Sequence, residues 1–207
     1  MIMPHRTLKV PERGMLDAYA ETLAARGYSA DPAQRAAAER LQRLYTELLS
    51  FKVARRSTFR RLLTRTDPPR GVYFWGGVGR GKSFLMDCFY DSVPYKRKKR
   101  IHFHAFMQQV HRQLDALKDQ ADPMDALAAN IARDVRLLCF DEFHVSDIAD
   151  AMILGRLLKV LFARGVVFVM TSNYPPDRLY PNGLQRDRFL PTIALMQENL
   201  DVLEVEA

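Results

Sequence analysis

The stretch Gly71-Val-Tyr-Phe-Trp75-Gly76-Gly-Val-Gly-Arg-Gly81-Lys82-Ser83 decides how this chain folds. Its first five residues are apolar enough for a buried strand. The next eight fit G-x-x-x-x-G-K-[ST], the signature of a phosphate-binding loop between a strand and a helix. Gly76, Gly77, Gly79 and Gly81, with Val78 and Arg80 between them, let successive backbone N–H groups turn inward around phosphates. A helix starting at Lys82 adds unpaired donors and the positive end of its dipole. Lys82 places a point charge on β- and γ-phosphates, and the Ser83 hydroxyl is a ligand for a bridging Mg2+. A glycine-rich turn with an incidental lysine is the plainer alternative, but it does not account for the strand before the loop and the helical pattern after it. ATP and Mg2+ are the expected ligands.

Downstream, Leu137-Leu-Cys-Phe140 is an apolar strand that ends in Asp141-Glu142. Carboxylates are costly at the end of a buried strand unless they are paired or metal-bound. Beside a phosphate loop the pair has a chemical use: Asp141 for the Mg2+ shell, Glu142 as the general base that polarises an attacking water. A helix cap explains one such acid and explains the second poorly. A fourth apolar run, Val166 to Met170, leads into Thr171-Ser172-Asn173. Asn173 offers both a donor and an acceptor and is the expected polar contact to the γ-phosphate and the water. Thr-Ser-Asn is also an ordinary turn start.

Working outward from these motifs, strands alternate with helices. Strands are expected at 71–75, 101–106, 135–140, 166–170 and 200–205. Helices are expected over 17–26, from Asp31-Pro32 through Leu48, from Lys82 to about Asp91, along the Phe106, Val110, Leu114, Leu117 face, from Asp122-Pro123, from a Ser146 cap to Gly165, and from Phe189 to about Asn199. Apolar strands interleaved with helices predict an α/β fold with a parallel sheet covered on both faces. Asp67-Pro-Pro69 marks a boundary. It divides the chain into a helical extension with a basic linker, 1–70, and a nucleotide-binding core, 71–207.

With 207 residues, 48% apolar and 27% charged, the composition is that of an ordinary globular domain. No apolar stretch approaches the roughly 20 residues of a membrane span, and no secretory signal is recognisable, so a cytoplasmic location is expected. Cys88 and Cys139 both sit in apolar patterns and read as reduced core residues. The net charge of +7 suits an acidic partner. Its positive residues concentrate in the segment 51–70 and in Lys96-Arg-Lys-Lys-Arg100, both read as solvated partner-binding runs outside the fold.

The words around the motifs are specific. Gly76 to Ser83, Ile101-His-Phe-His-Ala-Phe-Met107, Leu138-Cys-Phe-Asp-Glu-Phe-His-Val-Ser-Asp-Ile-Ala-Asp-Ala-Met152, Thr171-Ser-Asn173, Leu179-Tyr-Pro-Asn-Gly-Leu-Gln-Arg186 and Phe189-Leu-Pro191 together resemble the ZapE-type cell-division ATPases of the AAA+ superfamily, from about residue 11 to 205. The resemblance implies a P-loop three-layer sandwich with sheet order 5-1-4-3-2. It implies that Arg186 is an arginine finger reaching a neighbouring subunit, with Arg188 the second candidate. It implies that Gln34 reads the adenine amino group and that His104 holds Glu142, although a satisfied strand-end histidine fits His104 equally. It implies ATP hydrolysis in a homo-oligomer, action on the tubulin-like division protein FtsZ, and contact with the anionic inner membrane. Members of this family continue into a helical lid, so a chain ending at Ala207 reads as an N-terminal portion. A helicase-loader type of AAA+ protein is the alternative. No helix-turn-helix or RRM signature supports nucleic acid as a partner.

Overall fold

The computed structural model describes residues 14–56, 67–79 and 81–205. Two helices come first, α1 (Met15–Arg26) and α2 (Pro32–Arg56). Gly27 closes α1 at φ 68°, with its own N–H and that of Tyr28 returning to the last turn, a cap that favours glycine because of the positive φ. Asp31 opens α2: its carboxylate accepts the Gln34 N–H at 2.7 Å, and Gln34 Oε1 accepts the Asp31 N–H at 3.3 Å. The pair is a reciprocal cap.

The core follows as β1 (Gly71–Trp75), α3 (Lys82–Ser92), β2 (Lys98–His102), α4 (Phe103–Ala116), α5 (Pro123–Asp134), β3 (Leu137–Asp141), α6 (Ile148–Ala163), β4 (Val167–Ser172), α7 (Leu190–Asn199) and β5 (Leu200–Glu204). All pairings are parallel, in the order β2-β3-β4-β1-β5. This is the expected 5-1-4-3-2 read from the other edge. The strands alternate faces. Val72, Phe74, Cys139 and Val169 pack with α1, α2 and α3, whereas Tyr73, Leu138, Phe140 and Phe168 pack with α4 to α7. The result is helix, sheet, helix. The N-terminal helices α1 and α2 therefore share a core with the sheet.

One strand lies earlier than expected. The alternation Ile-His-Phe-His-Ala-Phe suggests a strand at 101–106, but β2 ends at His102 and α4 starts at Phe103. Phe103, Phe106, Met107 and Val110 also recur at helical spacing, and all four are buried against the sheet. Burying four large side chains on one helix face outweighs a period of two that buries fewer. The strand instead takes the basic run. At a sheet edge such residues keep their charged ends near water and discourage pairing with another chain.

That placement overturns the reading of 96–100 as a run outside the fold. Arg97 donates to the Ala132 carbonyl at 2.7 Å, Lys98 to the Tyr90 carbonyl, and Lys99 to Gln109 at 2.8 Å, while Arg100 binds two carboxylates. The other basic segment is partly structural as well. Lys52 donates to the Pro94 carbonyl at 2.7 Å. Arg70, with Arg40 from α2, binds Asp201 at 2.8 and 2.7 Å. Residues 57–66 of that segment lie outside the described residues. The cap of α6 is Asp147, not Ser146; its carboxylate accepts the Asp150 N–H at 2.9 Å.

Candidate nucleotide and metal site

Strand order brings the motifs together. β4 lies between β1, which carries the phosphate loop, and β3, which carries the acids. The loop emerges from β1, and Gly79 and Gly81 adopt φ of 80° and 79°, a region that disfavours side chains. Lys82 is the buried first residue of α3 and folds back over its loop, donating to the carbonyls of Gly76 at 2.7 Å and Gly77 at 2.6 Å. Ser83 follows it, exposed. Val78 is 85% exposed at the tip. Arg80 lies outside the described residues. Gln34 stands against this loop: a Cβ added to Gly81 would lie 3.2 Å from Gln34 Nε2. The N-terminal extension thus reaches the phosphate loop through the same residue that caps α2.

At the end of β3 the two acids part. Asp141 is buried and Glu142 faces solvent. Glu142 takes a left-handed φ of 54°. A non-glycine residue there costs on the order of 1–3 kcal/mol and persists only where its surroundings hold it. They do: Thr171 Oγ1 accepts the Glu142 N–H at 3.2 Å, and the Phe143 N–H donates to the Thr171 carbonyl at 2.7 Å. Ser172 Oγ donates to the Phe143 carbonyl at 2.8 Å. Phe143 itself is fully buried, its ring 4.4 Å from that of Phe103 and T-shaped to Tyr73 at 6.0 Å.

The Phe103–Phe143 contact aligns their neighbours. His102 precedes Phe103, Glu142 precedes Phe143, and His102 Nδ1 lies 3.6 Å from Glu142 Oε2. The histidine beside the candidate base is therefore His102. His104 has turned onto α4, where its Nε2 is 3.0 Å from Gln108 Nε2. The two-residue displacement follows from the earlier end of β2.

Arg100 is the other feature that motif reading missed. Its Nε donates to Asp141 Oδ2 at 2.6 Å and its Nη2 to Oδ1 at 3.1 Å, and its Nη1 donates to Asp87 on α3. Burial works against the guanidinium charge, but the hydrogen bonds to Asp141 and Asp87 outweigh it and hold its pKa further above the ordinary arginine value. Only the parallel register of β2 and β3, with His102 opposite Asp141, would have shown this in advance.

Asn173 is exposed just beyond β4. Both its neighbours are tethered. The Tyr174 N–H donates to Ser172 Oγ at 3.1 Å, and the Tyr174 carbonyl accepts the Tyr73 hydroxyl at 2.8 Å. Burial pushes that hydroxyl's pKa well up, so it stays a donor. Arg186, in the connection between β4 and α7, donates to the Asp177 carbonyl at 2.6 Å, and Arg188 donates to Gln185 Oε1 at 2.8 Å. The residues suit Mg2+: the exposed Ser83 hydroxyl and the Asp141 carboxylate are hard oxygen donors. A carboxylate has about four lone-pair sites, so the two bonds from Arg100 leave Asp141 further acceptor capacity.

Solved structures share this architecture. A replication initiator DnaA bound to AMPPCP and single-stranded DNA superposes with a TM-score of 0.60 at 14% identity, covering 88% of this chain and 49% of that one. The DnaC helicase loader superposes with a TM-score of 0.56 at 12% identity, covering 87% of this chain and 94% of that one. At such identities the likeness concerns the fold alone. With the phosphate-loop sequence, it defines a P-loop protein of the AAA+ class.

The family is narrower. The model of the AFG1-like ATPase family matches residues 14–207, and the chain belongs to that family. Cell division protein ZapE of Escherichia coli is 48% identical over 200 residues, 91% of this chain and 53% of the relative. The chain thus spans about half the length of that curated relative. Among the described residues, no helix is long and apolar enough to cross a membrane.

Proposed function

We propose that this chain is the nucleotide-binding portion of an Mg2+-dependent ATP hydrolase acting in bacterial cell division. The observation that carries the hydrolytic reading is Glu142: a solvent-facing carboxylate in a costly backbone conformation, held by Thr171 and Phe143, one residue after a buried aspartate. Lys82 exchanges its loop carbonyls for the β- and γ-phosphates. Ser83 and Asp141 would hold Mg2+, which would supply positive charge to neutralise the phosphates. Glu142 accepts a proton from the attacking water, and Asn173 orients that water and the γ-phosphate. Gln34, already at the phosphate loop, contacts the adenine. Arg186 leaves the Asp177 carbonyl to serve a neighbouring subunit's site in a homo-oligomer.

Cell division is supported by the name and the 48% identity of the Escherichia coli relative. The finer target is FtsZ, with the protein in the cytoplasm beside the inner membrane. The helicase-loader alternative has only fold likeness behind it. The experiment is a hydrolysis assay of the full-length protein with and without FtsZ, and with and without single-stranded DNA. Stimulation by FtsZ alone is expected, and stimulation by DNA alone would overturn the division reading. Lys82→Ala should weaken ATP binding by on the order of 10²-fold, about 2.7 kcal/mol, in a calorimetric titration. Binding at wild-type affinity would reject the phosphate-loop assignment.

A further inference from the structure

Arg100 does more than join two strands. Its guanidinium grips both oxygens of Asp141 and reaches Asp87 with its remaining nitrogen. Asp87 lies on α3 four residues after Ser83, so the two share a helix face. The Arg100 and Asp141 side chains are only 23% and 10% exposed. A single ion pair would neutralise Asp141. Two parallel hydrogen bonds also fix the plane of its carboxylate, and the third bond fixes the distance from that plane to the helix bearing Ser83.

We propose that Arg100 is a positioning residue for the metal site: it holds the Asp141 carboxylate in one orientation and ties it, through Asp87, to the helix that carries Ser83. The inference rests on the reading of Ser83 and Asp141 as the metal-holding pair. Arg100 would touch neither metal nor nucleotide. It acts through the outer shell, where loss of a partner typically costs 10–100-fold in metal affinity or activity. Its positive charge has a second effect. It offsets one of the two carboxylates, so a divalent cation is drawn in chiefly when phosphate oxygens add their own charge.

Arg100→Lys keeps the charge and gives up the two-pronged grip, and Arg100→Gln removes the charge too. A fluorescent ATP analogue would be titrated against each variant in EDTA and then across a series of Mg2+ concentrations. In EDTA both variants should bind within about twofold of wild type, because Lys82 and the loop are untouched. The Mg2+ concentration that half-saturates the metal-dependent gain in affinity should rise about tenfold in both. It should rise less in Asp87→Asn, which keeps the grip on Asp141. A purely structural arginine would lower the melting temperature and leave that Mg2+ midpoint in place. If Arg100→Gln gives no cooperative melting transition, Arg100→Lys decides. Asp141→Asn separates the two readings. If it shifts the midpoint and Arg100→Lys does not, the Arg100 inference is overturned alone. If Asp141→Asn leaves the midpoint unmoved, the metal reading fails and takes the inference with it.

Discussion

The phosphate loop and the acid end of the site are anchored in different ways. The phosphate loop is contiguous in sequence, 76–83, and Lys82 folds back onto carbonyls five and six residues earlier. The acid end draws on three strands: Arg100 and His102 from β2, Asp141 and Glu142 at the end of β3, and Thr171 and Ser172 from β4. Its support is the aromatic cluster of Tyr73, Phe103, Phe140 and Phe143. A local turn is held by backbone conformation and survives changes elsewhere. A site spread over three strands moves when any supporting ring moves.

The sharpest way to break this contrast is a pair of truncations. Phe103→Ala should cost about 3–5 kcal/mol of stability, because Phe103 is buried and its ring packs on Phe140 and Phe143. Val78→Ala, at the exposed tip of the phosphate loop, should stay within about 0.5 kcal/mol. Denaturant unfolding of both variants checks this, and similar costs for the two would erase the distinction.

A smaller effect is expected where α2 meets β5. Burial alone would raise the Asp201 pKa, but hydrogen bonds from Arg70 and Arg40 hold it below the ordinary aspartate value. A depressed carboxylate stabilises the fold above its unfolded pKa of about 3.9, and that contribution disappears as pH falls through the folded value. Asp201→Asn should therefore cost about 1–2 kcal/mol at pH 7, discounted for partial exposure. The gap between variant and wild-type melting temperatures should close in acid below pH ~4. A gap that persists there would show that packing, not charge, is lost. The smallest effect belongs to His102→Ala. The pair it forms with Glu142 is long and exposed, 3.6 Å with side chains 66% and 81% accessible, so its removal should change stability by less than about 0.5 kcal/mol in thermal unfolding.

The same contrast explains what the amino-acid sequence revealed. Residues 76–83 and the strands β1, β3 and β4 were legible because motif and apolar run are contiguous, and buried central strands carry a strong signal. β2 was not. Lys98, Lys99 and Arg100 look like a solvated run, yet an edge strand accepts such residues, and their partners Tyr90, Gln109 and Asp141 are remote or out of register on the page. The exchange of His104 for His102 has the same origin. Ile101-His-Phe-His104 alternates like a strand while Phe103, Phe106, Met107 and Val110 keep a helix period, and the packing of Phe103 on Phe140 and Phe143 accompanies the helical outcome. The tie of Arg70 to Asp201 spans 131 positions, beyond any local pattern.

The central claim is that Glu142 is the hydrolytic base of a site that binds ATP without it. Glu142→Gln in the full-length protein, assayed side by side for Mg2+-ATP binding and for phosphate release, tests it most directly. Binding should remain within about threefold of wild type, since an exposed carboxylate beyond the phosphate loop contributes little to ground-state affinity. Hydrolysis should fall by about 10²-fold or more. Hydrolysis near the wild-type rate would remove Glu142 from the chemistry, and loss of ATP binding would mean the residue shapes the pocket instead of activating water.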